Sequence, residues 1–305
     1  MLLDNKRDMR MYRTSSAVLL LVGLFLCGAC DVRAETTPLV DHRCLFITDE
    51  HVRHVHRLER VVNQPLKLPG NPIIEPEHPW ESRYVHHAGT VMYDEQAAVF
   101  KYWYTSGSDP NVELSCAGES YPHGASVVCY ATSKDGIHWE KPKLGQVLCD
   151  GSGDNNILKL GKYSPQGVAV LHDPKDPDPQ RQYKAIYWDH VPMKLRDQGV
   201  SGALDGTWVA FSADGVHWKD YEHNPVLRGY NDCDLSIVRD PLSNRYLAYG
   251  RFGFNRTIAC TISSDFLNWS TPRHVLEPDL QEPSGPWPRT QFYGMTVDLY
   301  EGMYL

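Results

Sequence analysis

Short apolar runs separated by turn-forming residues recur along the chain in a fixed order. Residues 127–132, 208–211 and 257–262 alternate in the manner of β-strands that run into turns. Each is followed by a related heptapeptide: Ser133-Lys134-Asp135-Gly136-Ile137-His138-Trp139, a near copy at Ser212-Ala213-Asp214-Gly215-Val216-His217-Trp218, and a looser one at Ser263-Ser264-Asp265-Phe266-Leu267-Asn268-Trp269. In the first two copies Asp accepts local backbone hydrogen bonds and Gly takes a positive φ without a Cβ clash, so the hairpin is expected to close in two to four residues. The Trp then opens the partner strand, where its ring can pack between neighbouring sheets.

A second hairpin precedes each of these units. Residues 88–94 lead to 99–104, 167–174 to 183–188, 235–241 to 245–250, and 293–298 to 301–305. The hairpin occurs four times and its first three copies are each followed by one strand, turn and Trp unit. Two hairpins make one four-stranded sheet, and radial repetition of such sheets is a β-propeller. The expected fold is all-β: a five-bladed β-propeller, present as three complete blades and part of a fourth, with the native product expected to continue beyond Leu305. Residues 44–50 form a lone strand candidate, placed to complete the last blade and remove a free edge.

Composition is that of a globular β-rich chain, with 42% hydrophobic and 11% aromatic residues among 305. Lys6, Arg7, Arg10 and Arg13 precede an apolar run over residues 17–27, and Val32-Arg33-Ala34 offers small residues where a signal peptidase reads. Residues 1–34 are therefore expected to be a signal peptide, with the propeller domain over 41–305 and the product secreted or periplasmic. The alternative is a lipoprotein acylated at Cys30. The apolar run is too short to favour a membrane span. Cleavage removes five basic and three acidic residues and takes the formal net charge from -8 to -10. No Lys/Arg cluster stands out, which argues against a nucleic-acid partner. Six cysteines would remain; Cys129 and Cys260 sit in strand patterns, leaving Cys116 or Cys149 in loops as the candidates for a bridge.

These features resemble the five-bladed propeller glycosidases, the superfamily of invertases, levansucrases and arabinanases, and in particular its secreted bacterial glycosyl hydrolase-like members. The likeness covers about residues 45–305 and rests on the Ser-x-Asp-Gly-x-x-Trp turns, Pro79-Trp80-Glu81, Arg239-Asp240-Pro241, Tyr293-Gly294-Met295 and Tyr300-Glu301-Gly302. It implies hydrolysis of an extracellular oligo- or polysaccharide by paired carboxylates, without an organic cofactor. Arabinanase relatives often hold an axial calcium, but no Asp-rich calcium loop is readable here. The chain departs from invertases in lacking both their nucleophile segment and their Glu-Cys pair, and that departure keeps a non-catalytic carbohydrate-binding propeller as the alternative. A glycoside phosphorylase is a third option and would need a basic pocket for phosphate. Only Arg239-Asp240-Pro241 matches the third invertase motif, which would make Asp240 a group that steadies sugar hydroxyls, although His172-Asp173-Pro174 fills the same place one repeat earlier.

In a propeller the leading ends of the innermost strands meet at one face of the axis. Glu81, His86 and His87 precede or open the first such strand, Gln166 the second, Asp232 and Asp234 the third, and Glu282, Arg289 and Tyr293 the fourth. Glycoside cleavage needs one carboxyl group to protonate the leaving oxygen and another to attack or activate water. The assignment is Asp234 as base or nucleophile, Glu282 as acid and Glu81 as a supporting or substrate-binding carboxylate. His86 and His87, as neighbours in a strand, should point to opposite faces. Arg251 and Arg289 are placed to clamp a carboxylated or sulfated sugar, and Tyr293 to offer it a platform. Asp232, Gln166 and Asp240 complete the candidate substrate contacts. Sequence leaves the oligomeric state open.

Overall fold

The computed structural model describes residues 54–61, 63–109, 125–231, 234–253, 256–278, 291–300 and 303–305. The export segment, Cys30 and the strand expected at 44–50 lie outside the described residues, as do Asp232, Glu282 and Arg289.

Among the described residues three antiparallel sheets, each built on a four-stranded meander, follow one another along the chain. The first consists of β1 (Tyr84–Asp94), β2 (Val99–Gly107), β3 (Ser126–Ser133) and β4 (Trp139–Glu140), in that spatial order. The second repeats the order with β5 (Pro165–His172), β6 (Tyr183–Asp189), β7 (Gly206–Ser212) and β8 (Trp218–Asp220), and β9 (Leu227–Arg228) adds to β7 beyond β8. The third holds β10 (Ser236–Arg239), β11 (Tyr246–Gly250), β12 (Ile258–Ser263) and β13 (Arg273–Leu276). A hairpin of β14 (Leu299–Tyr300) and β15 (Met303–Tyr304) begins a fourth repeat.

The first strand of each sheet lies beside the first strand of the next. β5 packs on β1 and on β10, and Val170 N in β5 donates to Thr90 Oγ1 in β1 at 2.9 Å. Ser236 at the start of β10 likewise exchanges hydrogen bonds with Val297 of the fourth repeat, at 3.1 and 3.0 Å. Successive meanders joined along their innermost strands are the blades of a β-propeller, and the described residues form three such sheets and a further hairpin.

The heptapeptide turns are built alike. Asp135 Oδ1 accepts from the backbone N–H of Ile137 and His138, both at 2.8 Å, while Ser133 Oγ accepts from Gly136 N at 2.9 Å. Trp139 Nε1 donates back to Gly136 O at 3.2 Å. The same set recurs around Asp214 and Asp265. Ser133 pairs with Trp139 and Ser212 with Trp218. Five residues therefore lie between the paired positions, longer than the expected two to four, because the Asp side chain replaces the ladder bond a tighter turn would make. In two copies His138 and His217 hold the second Asp oxygen through Nδ1 at 2.7 Å, and in the third Asn268 Nδ2 makes the same 2.7 Å bond.

The core lies mainly between blades, and the two complete junctions are packed by opposite choices. Trp103 in β2 is fully buried, and its Nε1 donates to Gly215 O in the second blade's turn at 2.6 Å. Its ring fills the space above that glycine, where an added Cβ would meet Trp103 Cζ2 at 2.8 Å and Tyr183 Cδ1 at 3.0 Å. Ile186 occupies the equivalent position in the second blade, three residues along from the strand position that faces the turn's Ser. Opposite it the third turn carries Phe266, fully buried in the same cluster as Ile186 and held at φ 68. A large ring over a glycine at one junction becomes a small side chain under a large ring at the next.

The second junction also contains a buried ionic group. Lys184 is fully buried in β6, with Nζ 2.5 Å from Asp176 Oδ2 and 3.8 Å from Asp173 Oδ2. Asp173 is paired with Arg239 of the third blade and accepts from Tyr246 OH at 2.7 Å. Cys129 and Cys260 are free thiols, and Cys149 is disulfide-bonded.

Candidate functional site

Antiparallel strands put β1, β5 and β10 in phase, so their leading ends share one side of the molecule. The ends of β2, β6 and β11 and the starts of β3, β7 and β12 arrive at the same side. In β1 the register slips between Val85 and Gly89, and in β5 between Gln166 and Ala169, where Gly167 takes φ 60. Bulges at matching places in two blades break simple alternation and re-aim the side chains that face the axis. Strand alternation alone therefore does not set the directions of His86 and His87. Of His87 only the backbone is described.

Asp234 sits just ahead of β10 with its side chain 22% exposed. Residues of the first and fourth repeats close on it. His86 Nδ1, from β1, lies 3.8 Å from Asp234 Oδ1. Gly294, from the fourth repeat, runs so close that an added Cβ would lie 2.7 Å from Asp234 Oδ2. Tyr102, on β2, has its hydroxyl pushed up to about 12, by burial first and then by the charge of Asp234. Gln166 is half-buried at the start of β5 and donates from Nε2 to Ser126 Oγ at 3.0 Å, which also bonds Tyr84 OH at 2.7 Å.

Beside Gly294, Tyr293 is half exposed and flanked by two guanidinium groups. Arg251 Cζ stands 4.9 Å and Arg256 Cζ 4.6 Å from the centre of its ring. Arg256 Nη1 also bonds Tyr293 OH, and donates to Gln291 Oε1 at 2.5 Å. Arg251 is only 2% exposed. Both arginines belong to the β11–β12 connection. Arg251 follows β11 directly and was visible as a candidate, whereas Arg256, in an irregular stretch at φ 45, was not. Tyr84, Ser126 and Gly294 were likewise missed as members of the site. The Tyr-Gly pair at 293–294 was the available signal for a close backbone approach.

Two candidates belong elsewhere. Glu81 is completely buried in the short turn Pro79–Glu81. Its Oε1 accepts from Tyr104 OH at 2.7 Å, and Oε2 accepts from Glu77 N at 2.9 Å and from Lys141 Nζ at 2.9 Å. A carboxylate so fully engaged inside the protein anchors the segment ahead of β1 and does not meet a sugar. Asp240 closes the β10–β11 turn, accepting from Leu242 N at 3.1 Å and Ser243 N at 3.0 Å. Six residues of strand put it about 20 Å from Asp234, at the opposite side of the blade. The Arg-Asp-Pro match is thus a hairpin turn, and so is its counterpart at Asp173.

On the same side as Asp234, farther out along the second blade, a cleft of ≈ 670 Å³ is lined by residues that include Lys162, Trp208 and Asp220. Burial pushes the Asp220 carboxyl up, against the pull of Tyr187 OH at 2.7 Å. Nearby Asp189 is pushed up to about 6 by burial, although it accepts from the backbone N–H of Lys162, Tyr163 and Ser164. Among the described residues no group of three or more His, Cys, Asp or Glu side chains is arranged to hold a metal ion, and no helix is long and apolar enough to cross a membrane.

No family model matches the chain, and no curated protein matches it. Solved structures do resemble it. A fructofuranosidase from Schwanniomyces occidentalis complexed with fructose aligns with a TM-score of 0.45 at 18% identity, covering 66% of this chain and 36% of its own. An exo-inulinase from Aspergillus awamori gives 0.45 at 14% identity over 68% of this chain and 40% of its own. An N-acetylgalactosamine deacetylase from F. plautii in complex with blood group B trisaccharide gives 0.46 at 16% identity over 75% and 62%. The chain thus spans little more than a third of the fructofuranosidase's length.

Proposed function

We propose that the protein is a glycoside hydrolase whose active site is the mouth formed by the leading ends of β1, β5 and β10. The observation that carries this reading is the placement of Asp234: a partly exposed carboxylate with His86 of one repeat and the Gly294 backbone of another closed around it. In the proposed mechanism Asp234 attacks the anomeric carbon or deprotonates water. The acid is Glu282, carried by the segment that leads into Tyr293, whose neighbour Gly294 runs beside Asp234. His86 orients the Asp234 carboxylate, and Gln166 bonds sugar hydroxyls. The substrate is an extracellular oligo- or polysaccharide, and the proposal includes export through residues 1–34.

The test uses the full-length protein on a panel of plant and algal polysaccharides. Wild type should release reducing ends, and Asp234→Asn should lower kcat by at least about a hundredfold, the lower range for losing a positioned acid–base group. Full activity in Asp234→Asn would remove the proposal. The burial of Glu81 favours one second reading, a carbohydrate-binding propeller without catalysis, because it takes one of three candidate carboxylates out of the mouth. Saccharide binding with no turnover in wild type would establish that reading.

A further inference from the structure

The cations of this propeller fall into two groups. Several are neutralised by carboxylates: Lys101 lies 2.8 Å from Asp94, Lys184 pairs with Asp176, Arg239 with Asp173, Lys141 with Glu81 and Arg196 with Asp205. At the mouth side, Arg83, Lys162 and Arg256 have no ion pair among the described residues. Each instead lies over an aromatic ring, Tyr84, Tyr163 and Tyr293 respectively. This occurs in a chain of net charge -8, where an acidic partner for each would be easy to find. A cation held over a ring keeps its charge available, because a π-face does not cancel it as a carboxylate would.

Arg256 is the best placed of the three. Tyr293 connects it to Gly294, and the Gly294 backbone abuts the Asp234 carboxylate. Arg251 lies over the same ring. Nη1 of Arg256 is committed to Tyr293 and Gln291, which fixes the plane of the guanidinium. Neither Nη2 nor Nε of Arg256 has a hydrogen-bond acceptor among the described residues. A planar donor pair linked through Tyr293 and Gly294 to a candidate nucleophile matches the two oxygens of a carboxylate or a sulfate ester.

Resting on the glycosidase reading, we propose that the mouth selects a saccharide bearing an anionic oxygen group on the sugar unit next to the cleaved bond, with Arg256 as the residue that meets the charge. The test compares three ligand sets of matched length on the full-length protein: oligogalacturonates, sulfated galactan oligomers, and neutral galacto-oligosaccharides. The expected result is a kcat/KM, or a Kd where turnover is slow, at least about tenfold better for one anionic set than for the neutral set. That preference should shrink as salt is raised. Arg256→Gln should reduce the anionic-to-neutral ratio by about 10- to 100-fold, the range for losing a hydrogen bond to a charged group. Arg256→Lys, which keeps the charge but loses the fork, should retain part of the preference, and an unchanged near-UV circular dichroism spectrum would report an intact fold. The choice between uronate and sulfate sets identifies the anion. A wild-type protein that handles neutral sugars as well as anionic ones, or an Arg256→Gln variant with an unchanged ratio, overturns the inference and leaves the glycosidase reading standing. A protein that neither binds nor cleaves any of the three sets, or any polysaccharide of the wider panel, removes both.

Discussion

Replacing Gly215 by Ala tests whether blade packing, and not turn geometry alone, fixes the identity of the turn residue. Gly136 and Gly215 occupy the same position of the same turn at φ 73 and 78, so Ala at either bears the same left-handed penalty of about 1 kcal/mol. Their surroundings differ. At Gly136 the nearest atom to an added Cβ is Phe100 Cε2 at 3.6 Å, an ordinary contact. At Gly215 the Cβ would lie 2.8 Å from Trp103 Cζ2 and 3.0 Å from Tyr183 Cδ1, atoms of rings that are themselves buried. Overpacking of that kind costs about 1–3 kcal/mol, and displacing Trp103 endangers its bond to Gly215 O, worth about 1 kcal/mol. Gly215→Ala should therefore destabilise by about 2–3 kcal/mol more than Gly136→Ala. By thermal unfolding followed by circular dichroism, that difference is about 5–10 °C in Tm for a chain of this size. Adding Trp103→Leu to Gly215→Ala should give a double variant less destabilised than the sum of the two single changes. Equal Tm values for the two glycine variants, or strict additivity in the pair, would refute the packing explanation.

Lys184→Met should destabilise by about 3–5 kcal/mol, because Asp176 and the buried Asp173 lose their shared cation; Asp176→Asn in the same chain should recover part of this, as measured by the denaturant midpoint. Stability should also depend on pH in two windows of opposite sign. The Lys101 ammonium and neighbouring backbone N–H groups hold Asp94 at about 2, and Asp214 is also at about 2, where burial pushes upward but is outweighed by His217 and the turn amides. Both stabilise the fold above the ordinary carboxylate value, and that stability is lost as pH falls from about 4 to 2. Asp189, raised to about 6, works the other way: its contribution is complete below about pH 4 and is lost as pH rises to 6. The deficit of Asp189→Asn relative to wild type should therefore shrink over that interval in chemical denaturation, and a deficit that grows would contradict the burial of its charge.

The fold was legible because its information is local and repeated. Ser133, Asp135 and Trp139 contact one another within a single turn, so a copy of the words is a copy of the structure. The site was less legible because its members are joined only through space. Glu81 stood at the right place in the repeat, but its disposition is decided by Lys141, sixty positions on, and by Tyr104 from β2. Asp240 carried a motif whose turn geometry suffices to explain it. Arg256 was hidden by lying outside any repeated pattern, and the two strand bulges broke the alternation from which side-chain directions are ordinarily read. Asp234 is a candidate on topology alone, since the residue preceding an innermost strand has to arrive near the axis.

The exchange of bulk between the two blade junctions means that the repeats, alike in their turns, are not interchangeable parts. If the second blade were excised, Trp103 would be set against Phe266, two large rings competing for one hollow; if it were duplicated, Ile186 would face Gly215 and leave that hollow empty. The succession of blades is thus written into their contacts, and a chain that fans out in any other sequence meets either a clash or a void.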